Sequence, residues 1–123
     1  MQAEVKEIMI NGIVYVPAHS PSDISINKDG LQYVIARTFS AGVFSGYLKN
    51  RVGQEVILLN ARRMWYWEGA ASLSQLAMEG TSKPDKCKFP AAVIKAELLQ
   101  VIEILSCTEK AKKSIEGVAI WRV

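Results

Sequence analysis

The sequence contains one histidine, His19, and two cysteines, Cys87 and Cys107, among 123 residues. One imidazole without a Cys-x-x-Cys pair excludes a zinc framework, and two cysteines are too few for a disulfide scaffold. Both cysteines are expected as thiols of a reducing compartment, with a Cys87–Cys107 bridge as the alternative. His19 lies in Pro17-Ala18-His19-Ser20-Pro21-Ser22-Asp23. A Ser/His/Asp triad needs an imidazole held rigidly beside its nucleophile, which three neighbours on a proline-bounded loop do not supply. There is no Walker loop and no Gly-x-Gly-x-x-Gly after a strand. No apolar run approaches the ~20 residues of a membrane-spanning helix. The start, Met1-Gln2-Ala3-Glu4-Val5-Lys6-Glu7, lacks the basic and apolar character of a secretory signal. The expected location is the cytoplasm. Fifteen Lys and Arg against twelve Asp and Glu give +3, too little to argue for DNA or RNA binding. The lack of enzyme signatures favours a binding protein over an enzyme, with no metal or cofactor expected.

Half the residues are hydrophobic and 22% are charged, the balance of a folded domain. Residues 1–123 read as a single domain. Lys6–Ile10 and Ile13–Val16 flank Asn11-Gly12, the strongest short hairpin signal because both turn residues need positive φ. Strand character resumes over Gln32–Phe39 and Val43–Leu48, separated by Ser40-Ala41-Gly42. Asn50-Arg51-Val52-Gly53 predicts a turn before a third strand, Glu55–Leu59, whose continuous apolar run predicts burial on both faces. Met64–Trp67 reads as extended. Gly69-Ala70-Ala71 then opens a short helix through Ser72–Met78, with Gly80 as its cap.

Val93–Leu105 fits both periods. With period two, Ile94, Ala96, Leu98, Ile102 and Ile104 share a face that only Gln100 breaks. With the helical period, Ile94, Leu98, Val101, Ile102 and Leu105 form a stripe. Ser106-Cys107-Thr108-Glu109 has the form of a capping box, which starts a helix and tips the preceding segment toward a strand. That helix runs through Lys110–Ile115 to Gly117, and Val118–Val123 reads as a last strand. The fold class is therefore α+β: an antiparallel β-sheet, hairpin plus meander, packed with one or two short helices.

Two stretches carry binding chemistry. One is Arg37-Thr38-Phe39-Ser40-Ala41-Gly42-Val43-Phe44; the other is Asn60-Ala61-Arg62-Arg63-Met64-Trp65-Tyr66-Trp67-Glu68-Gly69-Ala70-Ala71-Ser72. Arginine pairs with phosphate oxygens, aromatic rings stack on bases, and small residues admit a ligand to backbone N–H groups. Arg37, Thr38, Phe39, Ser40, Ala41, Gly42, Phe44, Asn60, Arg62, Arg63, Trp65, Trp67, Ala71 and Ser72 are the candidate ligand-binding residues. Plainer readings stand beside this one. Trp65 and Trp67, two apart, pack a sheet against a helix; adjacent Arg62 and Arg63 point to opposite faces, so one is a surface charge. The lysines at 83–88 and 110–113 read as a solvated face.

The strings Tyr33–Phe44 and Gly46-Tyr47-Leu48 resemble a family of small bacteriophage proteins. So do Leu59–Arg63 with Trp65-Tyr66-Trp67, Gly69–Ala77, Cys87-Lys88-Phe89-Pro90 and Thr108–Lys112. That family is the first-described class of phage Thoeris anti-defence proteins, and the resemblance runs from about Gln32 to near the C-terminus. It implies a sponge: the bacterial sensor converts NAD into a cyclic ADP-ribose isomer, and the phage protein binds that signal without degrading it. It also implies homo-oligomers, and some members bind cyclic oligonucleotides as well. The implied setting is the cytoplasm of an infected bacterium. A nanomolar complex corresponds to about −12 kcal/mol, more than one or two phosphate pairs and a stack supply. A pocket closed by two subunits is therefore expected. The alternative is an interaction module that inhibits a host protein through its aromatic and arginine surface.

Overall fold

The computed structural model describes residues 8–10, 13–15 and 20–123, with side chains from Ser20 onward. Strands β1 (Ile8–Ile10) and β2 (Ile13–Tyr15) pair antiparallel with Ile10 opposite Ile13, the register of a two-residue hairpin. The Asn11-Gly12 turn, Val16 and the loop with His19 lie outside the described residues.

The main body is a five-stranded antiparallel sheet. Its strands are β3 (Tyr33–Thr38), β4 (Val43–Val52), β5 (Glu55–Arg63), β6 (Val93–Leu98) and β7 (Val101–Ser106). Their spatial order is β6-β5-β4-β3-β7. Helices α1 (Leu73–Glu79) and α2 (Glu109–Glu116) complete an α+β fold.

The predicted meander is β3-β4-β5, but its second turn lies further on. β4 runs ten residues, through Asn50-Arg51-Val52, and the turn is Gly53-Gln54, where Gly53 takes φ +61°. β5 likewise extends to Arg63 and carries both arginines. Its Val56 and Leu58 are buried while Ile57 and Leu59 are half-buried, so only one face is fully covered.

Between the pairs Ser45↔Arg62 and Tyr47↔Leu59, one β4 residue, Gly46, faces two of β5, Asn60 and Ala61. Asn60 adopts φ +51°, and a Cβ on Gly46 would sit 3.0 Å from the Leu59 carbonyl oxygen. This β-bulge bends the pair, and only glycine admits so close a backbone.

Val93–Leu105 is extended, but as two strands on opposite edges of the sheet. Leu98 pairs with Val56 on β5, and Val101 pairs with Thr38 on β3. Only Leu99 and Gln100 join them, a reach of at most about 11 Å. Flat, five strands would hold their edges about 19 Å apart. The sheet therefore curls until its edges meet at this end. Val101 N–H donates to the Gln54 carbonyl (3.0 Å) across the seam, and Phe39 N–H donates to the Gln100 carbonyl (2.9 Å) to continue the β3–β7 pairing.

Curling gives the sheet two apolar faces. Val34, Ala36, Phe44, Val56, Leu58, Leu98 and Val101 fill the inside. Outside, Tyr33, Ile35 and Met64 pack beneath Leu76 and Ala77 of α1, Ala111 and Ile115 of α2, and Phe89. Buried Cys87 and Cys107 are both free thiols in this layer.

The helix boundaries shift for local reasons. Gly69-Ala70-Ala71 precedes α1 rather than opening it; the N-cap is Ser72, whose Oγ accepts from Gln75 N–H (3.1 Å). The cap of α2 is Thr108, whose Oγ1 accepts from Ala111 N–H (3.0 Å), and not Ser106. Ser106 ends β7, and Cys107 N–H is still held by the Tyr33 carbonyl (2.9 Å). Residues 118–123 form no strand; they make a single parallel bridge, Phe89 to Ile120.

Candidate functional site

The two chemistry-bearing stretches meet. The β3–β4 turn and the end of β5 with the segment after it enclose a cleft of about 550 Å³, lined by Ser40, Ala41, Gly42, Val43, Arg63, Met64, Trp65 and Trp67. Thr38 pins the turn. Buried Thr38 donates its hydroxyl to the Gly42 carbonyl (2.7 Å) and accepts from Ala41 N–H (2.8 Å). Gly42 takes φ +96°, a left-handed conformation that favours glycine. Thr38 therefore shapes the cleft without lining it.

Arg63 is the charged group of the cleft. Its guanidinium lies 4.3 Å from the Phe44 ring centre, and Nη1 donates to the Ala41 carbonyl. The side chain is otherwise exposed. A guanidinium held from two sides meets an anionic ligand with less ordering left to do. Arg63 and Phe44 also border a neighbouring groove of about 390 Å³, floored by Ala61, Ala96 and Leu98 and edged by Val93 and Glu97.

Arg62 behaves differently from its neighbour. Its side chain is buried and donates to three carbonyls: Pro90 through Nε (2.9 Å), Ile115 through Nη1 (2.8 Å) and Phe89 through Nη2 (3.0 Å). Burial lowers its pKa from the ordinary arginine value. Arg62 thus ties β5 to α2 and to the 89–90 segment, a structural role where the sequence placed a candidate phosphate ligand. With Asn60, Tyr33 and Glu116 it borders a separate cavity of about 240 Å³, away from the cleft.

The remaining candidates scatter. Arg37 is exposed and pairs with Glu103 (3.1 Å). Phe39 is 75% exposed and does not line the cleft. Ala71 N–H is taken by Gln75 Oε1 (2.7 Å), the Ser72 Oγ accepts as the cap of α1, and neither residue lines the cleft. Trp67 is half-buried against the outer core, whereas Trp65 is 62% exposed.

Two residues join the site from distant sequence. Trp121 packs on Trp65 with ring centres 5.8 Å apart and 37° between planes. The Lys88 ammonium sits 5.7–6.0 Å from the rings of Tyr66, Trp121 and Trp65. Lys88 is exposed, as read for its loop, and it is also the cation beside an exposed aromatic cluster. Its backbone explains the placement: Lys88 N–H donates to the Tyr66 carbonyl (2.8 Å), and Trp121 N–H donates to that of Phe89 (3.0 Å). Nothing in the local pattern around 88 or 121 foretells this, because both pairings are long-range. Among the described residues, no group of three His, Cys, Asp or Glu side chains is placed to hold a metal. No described helix is long and apolar enough to cross a membrane.

Residues 31–115 match a family described as a domain of unknown function, DUF6948. The chain belongs to this family. The matched DUF6948 region contains the sheet, the cleft, both helices to Ile115 and Lys88, while Trp121 lies beyond it. No curated protein and no solved structure matches the chain significantly.

Proposed function

We propose that this protein captures an NAD-derived cyclic ADP-ribose isomer in the Arg63 cleft and holds it without degrading it, as a phage countermeasure to Thoeris immunity. The observation that carries the reading is convergence. Two stretches some twenty residues apart, each resembling that sponge family, place Arg63, a glycine-bearing turn and Trp65 around one cleft of about 550 Å³. Such a ligand carries a pyrophosphate and an adenine. Arg63 is the group for the pyrophosphate, the exposed face of Trp65 for the base, and the Ser40-Ala41-Gly42 turn for close approach. Capture of this kind calls on no general base and no metal. The setting is the cytoplasm of an infected bacterium, and the working unit is a homo-oligomer that shields the ligand from water. Cyclic oligonucleotides are the class assigned to a second site.

The test is capture and release. The protein is incubated with the cyclic product of a Thoeris TIR enzyme, filtered, then heat-denatured. Intact signal recovered only after denaturation supports the reading. Signal free in the filtrate overturns it, and altered signal means an enzyme. The aromatic cluster of Trp65, Tyr66, Trp121 and Lys88 favours a second reading, a docking surface that inhibits a host protein. A stoichiometric host protein retained by wild type and lost on Trp121→Ala supports it.

A further inference from the structure

Strand β6 is an unbulged edge strand protected only by two charges. Its pairing with β5 is regular from Leu98 to Val93. It contains no proline, and among the described residues no strand pairs with its outer side. The opposite edge differs: the β3–β7 ladder shifts register at Arg37/Thr38. A regular, unbulged edge is a template for another strand. It is also apolar, with Ile94 90% exposed, Leu99 68% and Val93 51%. Two exposed charges interrupt it, Lys95 and Glu97, and neither is in an ion pair among the described residues.

We infer that β6 pairs antiparallel with β6 of a second copy of this chain, centred on Ala96, so that Lys95 of each copy faces Glu97 of the other. Geometry and charge together select this register. Residues directly opposite in an antiparallel pair point their backbone groups alike, and backbone direction alternates along a strand. A two-fold pairing of β6 with itself must therefore centre on a residue. Centring on Lys95 opposes two lysines, and centring on Glu97 opposes two glutamates; both are destabilising. Centring on Ile94 leaves Glu97 opposite Ala91 and Lys95 opposite Val93. Centring on Leu98 leaves Glu97 opposite Leu99. Only Ala96 matches both charges twice over, and it sets Ile94 against Leu98 of the other copy. The paired sheet then has ten strands, with the most exposed isoleucine covered.

This deepens the homo-oligomer part of the reading above and is independent of its ligand. β6 also borders the groove that Arg63 and Phe44 share. A second copy on that edge walls the groove and brings its own β6 beside the cleft.

Charge reversal tests the inference. The full chain's mass is measured by analytical ultracentrifugation across the micromolar range, without nucleotide, with circular dichroism as the check of fold. Wild type is expected at a multiple of 13.6 kDa. Lys95→Glu sets four carboxylates together and Glu97→Lys four ammoniums; each is expected to lower the assembly by one two-fold contact. The double variant Lys95→Glu/Glu97→Lys restores the pairing with the signs exchanged, and its assembly is expected to return. A monomeric wild type overturns the inference. So does a single reversal that leaves the assembly unchanged, or a folded double variant that stays dissociated. Ligand capture by dissociated Lys95→Glu is read separately: loss of assembly with retained capture, or the converse, shows which reading has failed.

Discussion

The guanidinium of Arg63 rests 4.3 Å from the centre of the Phe44 ring, fastened there by the Ala41 carbonyl. An exposed cation–π contact contributes only about 0.5–1 kcal/mol to stability, so Arg63→Ala should unfold at nearly the wild-type urea midpoint. Its effect should appear instead in capture of the proposed ligand. A charge-assisted phosphate contact contributes about 1.5–3 kcal/mol, and calorimetric titration of Arg63→Ala should show that loss. Unchanged affinity would place the phosphate elsewhere.

Arg62→Ala should show the reverse pattern. The carbonyls of Phe89, Pro90 and Ile115 lose their donor together, at a cost of about 3 kcal/mol or more. Arg62→Lys should recover little, because one ammonium cannot reproduce a fork that reaches three acceptors. Urea denaturation of both variants measures this. A mild Arg62→Ala would remove the structural role.

The two tryptophans before α1 should separate in the same way. Trp65→Ala removes an exposed ring and should cost about 1–3 kcal/mol of base stacking while barely moving the melting temperature. Trp67→Ala opens a gap against the outer core and should cost about 2–3 kcal/mol of stability. Equal effects on binding would mean that the cleft does not distinguish its two rings.

Gly69 and Gly53 test backbone against space. Both have positive φ, +86° and +61°. A Cβ on Gly53 meets nothing within 4 Å, so Gly53→Ala should cost about 1–2 kcal/mol for its left-handed conformation alone. A Cβ on Gly69 would lie 2.5 Å from Thr81 Oγ1 and from Lys83 N. Gly69→Ala should therefore cost clearly more, measurable as a larger drop in melting temperature, and displace the 81–83 loop.

Alkaline stability has a defined sign. Burial pushes the Cys107 thiol up to about 12 and raises the Tyr33 phenol well above its ordinary value. An acid whose folded value is raised keeps its proton longer when folded. Its contribution is full below the unfolded values, about 8.5 for a thiol and 10 for a phenol, and falls as pH rises past them. Urea midpoints should therefore decline above that range. Cys107→Ala, though less stable at neutral pH, should decline less steeply between the ordinary thiol value and the folded one. An identical slope would mean that Cys107 titrates alike in both states.

Much of the fold is legible because its signals are local. Asn11-Gly12 marks a hairpin register, and Gly80 marks the end of α1. The misread points are those where distant chain decides. Ser106 has the form of a cap, yet the sheet still holds Cys107 through Tyr33, so the helix waits for Thr108. Alternation from Ile94 to Ile104 continues in phase through Leu99-Gln100. It therefore reads as one strand and hides the crossing from one sheet edge to the other. Arg62 and Arg63 are indistinguishable in the sequence. Only the arrival of Phe89, Pro90 and Ile115 beside one of them gives them different tasks. Trp121 and Lys88 were hidden for the same reason.

The two-residue link Leu99-Gln100 also orders events in time. A segment that pairs with β5 and then with β3 finds both partners only after β3, β4 and β5 have assembled. The three-strand meander, with its short connections, should form the nucleus, and the 93–106 segment should close over it late. Damage to that clasp should consequently speed unfolding while leaving the refolding rate almost unchanged, which makes residues 98–101 a control point for how long the folded chain endures.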